Sequence, residues 1–201
     1  AYGAMAGRFS SLTEARMIAR RTFIKGASLA ALATTSGIRP GRAHAVSNSS
    51  GTEPPKLKAP ANACDCHMHI YDPARFPMPP SQRVPPSDAT VAHYRELQKR
   101  IGTTRTVVVQ PRNYAIDNRV TLDAIAQLGA DARGVAVLHP SVTDAELKAL
   151  DAGGIRGIRF TLGDPATAVV KVDMIEPLAK RVVELGWHIQ FNVEGAQVVE
   201  L

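Results

Sequence analysis

A chain of 201 residues with 45% hydrophobic content can bury the core of one ordinary domain, which argues against disorder over most of its length. Its net charge of +6 is concentrated in residues 1–45, where Arg8, Arg16, Arg20, Arg21, Lys25, Arg39 and Arg42 face Glu14 alone, while the remainder holds 17 basic and 17 acidic residues. With no net charge past Ala45, a basic surface that tracks a phosphate backbone has no support, and no nucleic-acid partner is expected.

The first 45 residues run from a basic stretch ending in Arg20-Arg21-Thr22-Phe23-Ile24-Lys25, through a weakly apolar run from Gly26 to Gly37, to the small-x-small triplet Ala43-His44-Ala45. That order predicts a signal peptide, and its paired arginines resemble the twin-arginine (Tat) consensus. The apolar run is well short of the roughly 20 residues a bilayer core needs, so no stable membrane insertion is expected. The expectations are export by the Tat machinery, a mature chain beginning near Val46, and a periplasmic location. Residues 46–62, rich in Ser, Pro and Lys, read as a flexible tether.

Cys64 and Cys66 do not imply a disulfide framework. Two residues apart on a strand they share one face, and so short a loop disfavours an unstrained bridge. The expectation is two small thiols packed under a helix.

From residue 63 onward, short apolar runs alternate with segments of helical period, the pattern of repeated βα units on a parallel sheet. Strands are predicted at 63–70, 105–110, 133–139, 155–161 and 187–193. The first helix, 89–101, presents Val91, Tyr94, Leu97 and Ile101 on one side and stops at Gly102; the second carries Val120, Ala124, Ile125 and Leu128 before Gly129. The third opens on Thr143 and Glu146 spaced as a capping box and ends at Gly153, and the fourth, 173–185, aligns Met174, Leu178, Val182 and Leu185. A fifth helix begins over 195–201.

Runs such as Val107-Val108-Val109 and Val135-Ala136-Val137-Leu138 are too continuously apolar for a sheet with one wet face. The fold class is therefore α/β, either doubly wound or of the (β/α)₈ barrel type. Polar residues at the carboxyl ends of the strands, His69, Gln110, His139, Arg159 and Asn192, favour the barrel, as does the lack of a Gly-x-Gly-x-x-Gly turn after the first strand. Eight strands would require about three more βα units than these five, so an incomplete barrel is expected; a compact five-stranded domain is the alternative.

The stretch Asp65-Cys66-His67-Met68-His69 is the richest in chemistry. Strict alternation places Asp65, His67 and His69 on one face and Cys64, Cys66 and Met68 on the other, and two inward imidazoles at the end of a first barrel strand can share a cation or polarise a carbonyl. Together with Ile70-Tyr71-Asp72-Pro73 and the run Gly154-Ile155-Arg156-Gly157-Ile158-Arg159-Phe160, it resembles the amidohydrolase-related group that includes 2-pyrone-4,6-dicarboxylate lactonase, sulfomuconolactone hydrolase, fuconolactonase and galactarolactone isomerase. The resemblance spans about residues 63–201. It implies a (β/α)₈ barrel, first-strand histidines that contact a substrate carbonyl or a metal, and an Asp after the eighth strand that activates water and has no counterpart in these residues.

On that resemblance His67 and His69 are the expected catalytic residues, and the substrate is a small lactone or cyclic acid. The fourth strand presents Arg159 and Thr161 inward and the fifth Gln190 and Asn192, with His188 at its amino end, so the Lys, Glu or His that completes a metal site in the superfamily is not seen. No cofactor is expected; the alternative is one zinc ion held by His67, His69 and residues beyond 201. Arg159 suits bidentate capture of a carboxylate, or pairs with a structural acid such as Asp164. Gln110 binds substrate or caps its strand, Asn192 and Tyr71 are further substrate contacts, and His139 is a catalyst or a satisfied loop histidine. The proline-rich loop from Tyr71 to Thr90 walls the mouth, with Tyr71, Arg75 and Arg83 in reach of ligand, or straps the side of the barrel. The reaction implied is hydrolysis of a lactone, with a lactone isomerase or a non-catalytic remnant that binds ligand as alternatives.

Overall fold

The computed structural model describes residues 53–80, 89–163 and 168–199. The predicted leader, the first part of the predicted tether, Arg83 and Asp164 lie outside the described residues. Five strands, β1 (Cys64–Met68), β2 (Arg105–Val109), β3 (Ala132–Ala136), β4 (Ile155–Thr161) and β5 (His188–Asn192), form one sheet in the order β1-β2-β3-β4-β5, every neighbouring pair parallel. Helices α1 (Val91–Ile101), α2 (Arg119–Leu128), α3 (Asp144–Ala152) and α4 (Ile175–Val182) connect them. This sequential parallel order is that of an incomplete TIM barrel. None of the helices among the described residues is long and apolar enough to cross a membrane.

Local chemistry explains the element boundaries. Helix α1 starts at Thr90, whose hydroxyl accepts from His93 N while the His93 ring accepts from Thr90 N; it stops at Gly102, whose left-handed φ of 79° favours glycine. The predicted capping box at Thr143 and Glu146 is present in α3. The fourth helix is shorter than expected, because one-turn 3₁₀ segments, Val172–Met174 and Val183–Leu185, flank α4; the segment after β5, Gly195–Val199, is likewise 3₁₀.

The helix-covered face of the sheet is the core. Val108, Ala136, Ile158 and Phe160 from the strands meet Val120, Ala124, Leu147, Leu178 and Val182 from the helices, all nearly or fully inaccessible to water. Burial of each large side chain contributes about 1.5–3 kcal/mol, which fixes where the strand ends stand. α2 lies so close to β3 that a Cβ on Gly134 would fall 2.6 Å from Ile125 Cδ1.

Candidate functional site

The carboxyl ends of β1 and β4 and the connections after β1 and β2 bring the chemistry together. Strand β1 departs from strict alternation. Its register against β2 shifts between Asp65 and Met68, so Asp65 pairs with Thr106 and Met68 with Val108, three residues opposite two. Asp65 consequently turns toward α1, where its Oδ2 accepts from the Tyr94 hydroxyl at 3.2 Å, and Met68 is buried. The expectation that Asp65 shares the face of His67 and His69 is thus corrected by the bulge. Asp65 still supports the motif, since its Oδ1 accepts from the His67 backbone N–H at 3.2 Å.

His67 and His69 lie edge to face, ring centroids 5.1 Å apart, and Tyr71 follows with its ring 6.3 Å from that of His69. His69 Nδ1 is 2.7 Å from the Val109 carbonyl oxygen, which accepts its hydrogen and leaves Nε2 with the free lone pair. Burial holds both imidazoles below their ordinary value of 6.5, and the positive charge of Arg159 adds to this at each ring. The same guanidinium, together with that of Arg112, opposes the upward push that burial gives the Tyr71 phenol. Arg159 thus bears electrostatically on Tyr71 and on both histidines. Arg159 is half-buried, and among the described residues its guanidinium has neither a hydrogen-bond nor a salt-bridge partner. The acid considered as its structural partner, Asp164, lies outside the described residues.

Tyr71 is held by its neighbours. Its backbone bridges Ala89 in both directions at 2.9 and 2.8 Å, and its hydroxyl donates to Asn113 Oδ1 at 3.3 Å. That bridge closes the proline-rich loop at its base, a long-range contact with no sequence signal. Arg75 does not reach the cluster: its guanidinium makes two hydrogen bonds to Asp123 on α2, at 2.8 and 2.7 Å, and lies over Phe76.

Gln110 takes the strand-capping role of the two considered for it. It is fully buried, its amide nitrogen donates to the carbonyls of Ala115 and Asp117, and its oxygen accepts from Thr121 at 2.6 Å. The amide shapes the β2–α2 connection, with both its oxygen and its nitrogen engaged inside the protein. His139 falls beyond the end of β3, in a loop where Ser141 is its partner at 2.8 Å. Asn192 is exposed at the end of β5, paired in register with Thr161. The cysteines are free; Cys66 is exposed and Cys64 half-buried, so the expectation of two thiols packed under a helix is not met.

Among the described residues no three His, Cys, Asp or Glu side chains group as a metal site. His67 and His69 are the pair an ion would use, yet a guanidinium bears on both rings and structural or catalytic zinc commonly takes three or four protein ligands. Among the described residues these two imidazoles are the candidate ligands that stand together, fewer than zinc commonly takes.

Comparison with known proteins places this geometry among relatives. A family model described as Amidohydrolase matches residues 64–201. The 2-pyrone-4,6-dicarboxylate hydrolase of Comamonas testosteroni is 37% identical over 148 residues, 73% of this chain and 48% of that protein. The 4-sulfomuconolactone hydrolase of Rhizobium radiobacter is 30% identical, over 69% of this chain and 47% of that one. The apo crystal structure of Agrobacterium tumefaciens ATU3138 superposes with a TM-score of 0.68 at 24% identity, covering 77% of this chain and 53% of that chain, which shows the shared fold. The chain spans about half the length of the curated relatives it matches.

Proposed function

The chain belongs to the amidohydrolase family, and from that premise we propose that it serves hydrolysis of a lactone that carries a carboxylate. The observation that carries this reading is Arg159, a half-buried guanidinium without a partner among the described residues, set against two imidazoles held below their ordinary pKa. A half-buried cation has lost part of its hydration, and a carboxylate held through a bidentate pair offsets that loss in the bound state. The hydrolase activities named for the two relatives, one on a pyrone dicarboxylate and one on a sulfomuconolactone, support the same substrate class.

The two histidines divide the work. His69 gives its Nδ1–H to the Val109 carbonyl, so in its neutral form Nε2 is a base facing the site, able to take a proton from water or to orient it. His67, the more exposed ring, is the one placed to polarise the carbonyl. Water adds its oxygen to the lactone carbonyl carbon, the ring C–O bond breaks, and the ring oxygen leaves as a hydroxyl that takes up a proton. No metal is assigned a step. The basic leader extends the proposal to export through the Tat machinery and a periplasmic site of action.

Lactone opening is followed as proton release by the purified protein against dicarboxylic and sugar-acid lactones, with and without a chelator. Turnover that survives the chelator and drops about 100-fold in Arg159→Ala is the expected result. Product analysis separates hydrolysis from isomerisation. A folded protein that opens none of these lactones overturns the reading.

A further inference from the structure

Beside Arg159 stands a polar group that the reaction above leaves unused. The parallel register pairs Gly157 with His188, Arg159 with Gln190 and Thr161 with Asn192, so His188 and Gln190 share the face from which Arg159 meets the histidines. Gly157 is where this arrangement begins. A Cβ there would lie 2.6 Å from His188 Cε1 and 2.8 Å from both ring nitrogens, so only bare backbone lets the imidazole lie against β4. The His188 Nε2 is then 3.3 Å from the Gln190 amide nitrogen, which donates to it. That hydrogen bond orients the amide, and among the described residues the Gln190 Oε1 is left buried with no partner.

A buried amide oxygen without a donor has given up its hydration for nothing in return. Gln110 shows how this protein treats a buried amide in a structural role: both of its ends are bonded. Gln190 differs in being fastened at one end only, and its open end is an acceptor, which a carbonyl or a second carboxylate would meet oxygen to oxygen. We propose that Gln190 Oε1 accepts a hydrogen bond from a substrate hydroxyl, so that the site takes the lactone of a hydroxylated acid, its carboxylate on Arg159 and a nearby hydroxyl on Gln190. This rests on the carboxylate-binding reading of Arg159 and narrows it: a planar, unsaturated dicarboxylate without hydroxyl groups leaves Gln190 unsatisfied, and a sugar-acid lactone does not.

Galactarate and adipate have the same chain length and the same two carboxylates and differ in their hydroxyls, so calorimetric titration of the protein with each isolates this contact. The expected result is binding of galactarate about tenfold tighter than adipate in the wild type. Arg159→Ala weakens both acids, and Gln190→Leu abolishes the preference while leaving adipate binding unchanged. Removal of an unpaired oxygen should hold or raise the melting temperature of Gln190→Leu; if that variant does not fold, Gln190→Met replaces it, and the wild-type comparison of the two acids decides without any variant. Equal affinity for the two acids in the wild type, or a preference that persists without Gln190, overturns the inference and leaves the role of Arg159 intact. Binding of both acids that is indifferent to Arg159→Ala overturns the carboxylate reading and this inference with it.

Discussion

Strands β1 and β4 both break register with a neighbour, β1 between Asp65 and Met68 and β4 between Ile155 and Gly157. In each, two residues three apart end on the helix-covered side: Asp65 and Met68 in one, Ile155 and Ile158 in the other. The difference is where the slip falls. In β4 it precedes the working residues, and from Gly157 to Thr161 the strand pairs with β5 without interruption. In β1 it lies inside the motif, so His67 and His69 face the site while Asp65, two residues before the first of them, leaves it. Alternation is therefore a safe guide to facing only downstream of the last bulge.

The sharpest way to break that comparison is to remove one side chain from each face of β1. His69→Ala should lower kcat/KM about 10²-fold to 10⁴-fold, the range for loss of a positioned acid or base, with little effect on melting. Asp65→Asn should do the reverse. Its carboxylate serves the Tyr94 hydroxyl and the His67 N–H, so its loss costs about 1 kcal/mol of stability and leaves turnover per folded molecule within a few-fold of wild type. Kinetics normalised to the folded fraction check both, and an Asp65→Asn loss as large as that of His69→Ala would mean that the bulge does not separate the two.

Much of this was legible in the residues. The bounds of β4 agree with the predicted 155–161, and the Thr143 box is present, because both depend on neighbours within a few positions. What escaped depends on partners far along the chain. Arg75 reads as a ligand contact until Asp123, 48 residues later, engages it, and the pairing of Tyr71 with Ala89 has no local cue. Gly157 is visible as a glycine in a repeated Gly-Ile-Arg run, but its purpose is to make room for His188 on the next strand. The role of His93 in the α1 cap was missed because Glu or Gln is the usual residue at that position.

The two buried amides sharpen the contrast between structural and ligand-facing positions. Gln110→Leu would strand the Thr121 hydroxyl and two backbone carbonyls in the core, at about 3 kcal/mol. Urea denaturation should show a lower midpoint at unchanged slope, with the acid affinity of the folded fraction preserved. A change in affinity as large as the change in stability would place Gln110 in the site after all.

The smallest effect is the one that tests how β4 addresses β1. In the folded chain burial first, and Arg159 in addition, keeps His67 and His69 below the 6.5 at which they titrate when unfolded. A base whose folded pKa is depressed takes its proton more readily in the unfolded state. Stability is therefore full above pH 6.5 and declines as pH falls through the folded values, and the acid limb of activity, set by the neutral His69, lies below 6.5. Arg159→Gln removes one of the depressing influences and leaves burial in place. The acid limb of residual activity should then move up toward 6.5 without reaching it, and the decline of melting temperature on acidification should become shallower. A limb that stays where it was would show that Arg159 does not bear on the imidazoles, and the shared inward face of β1 and β4 would have to be abandoned.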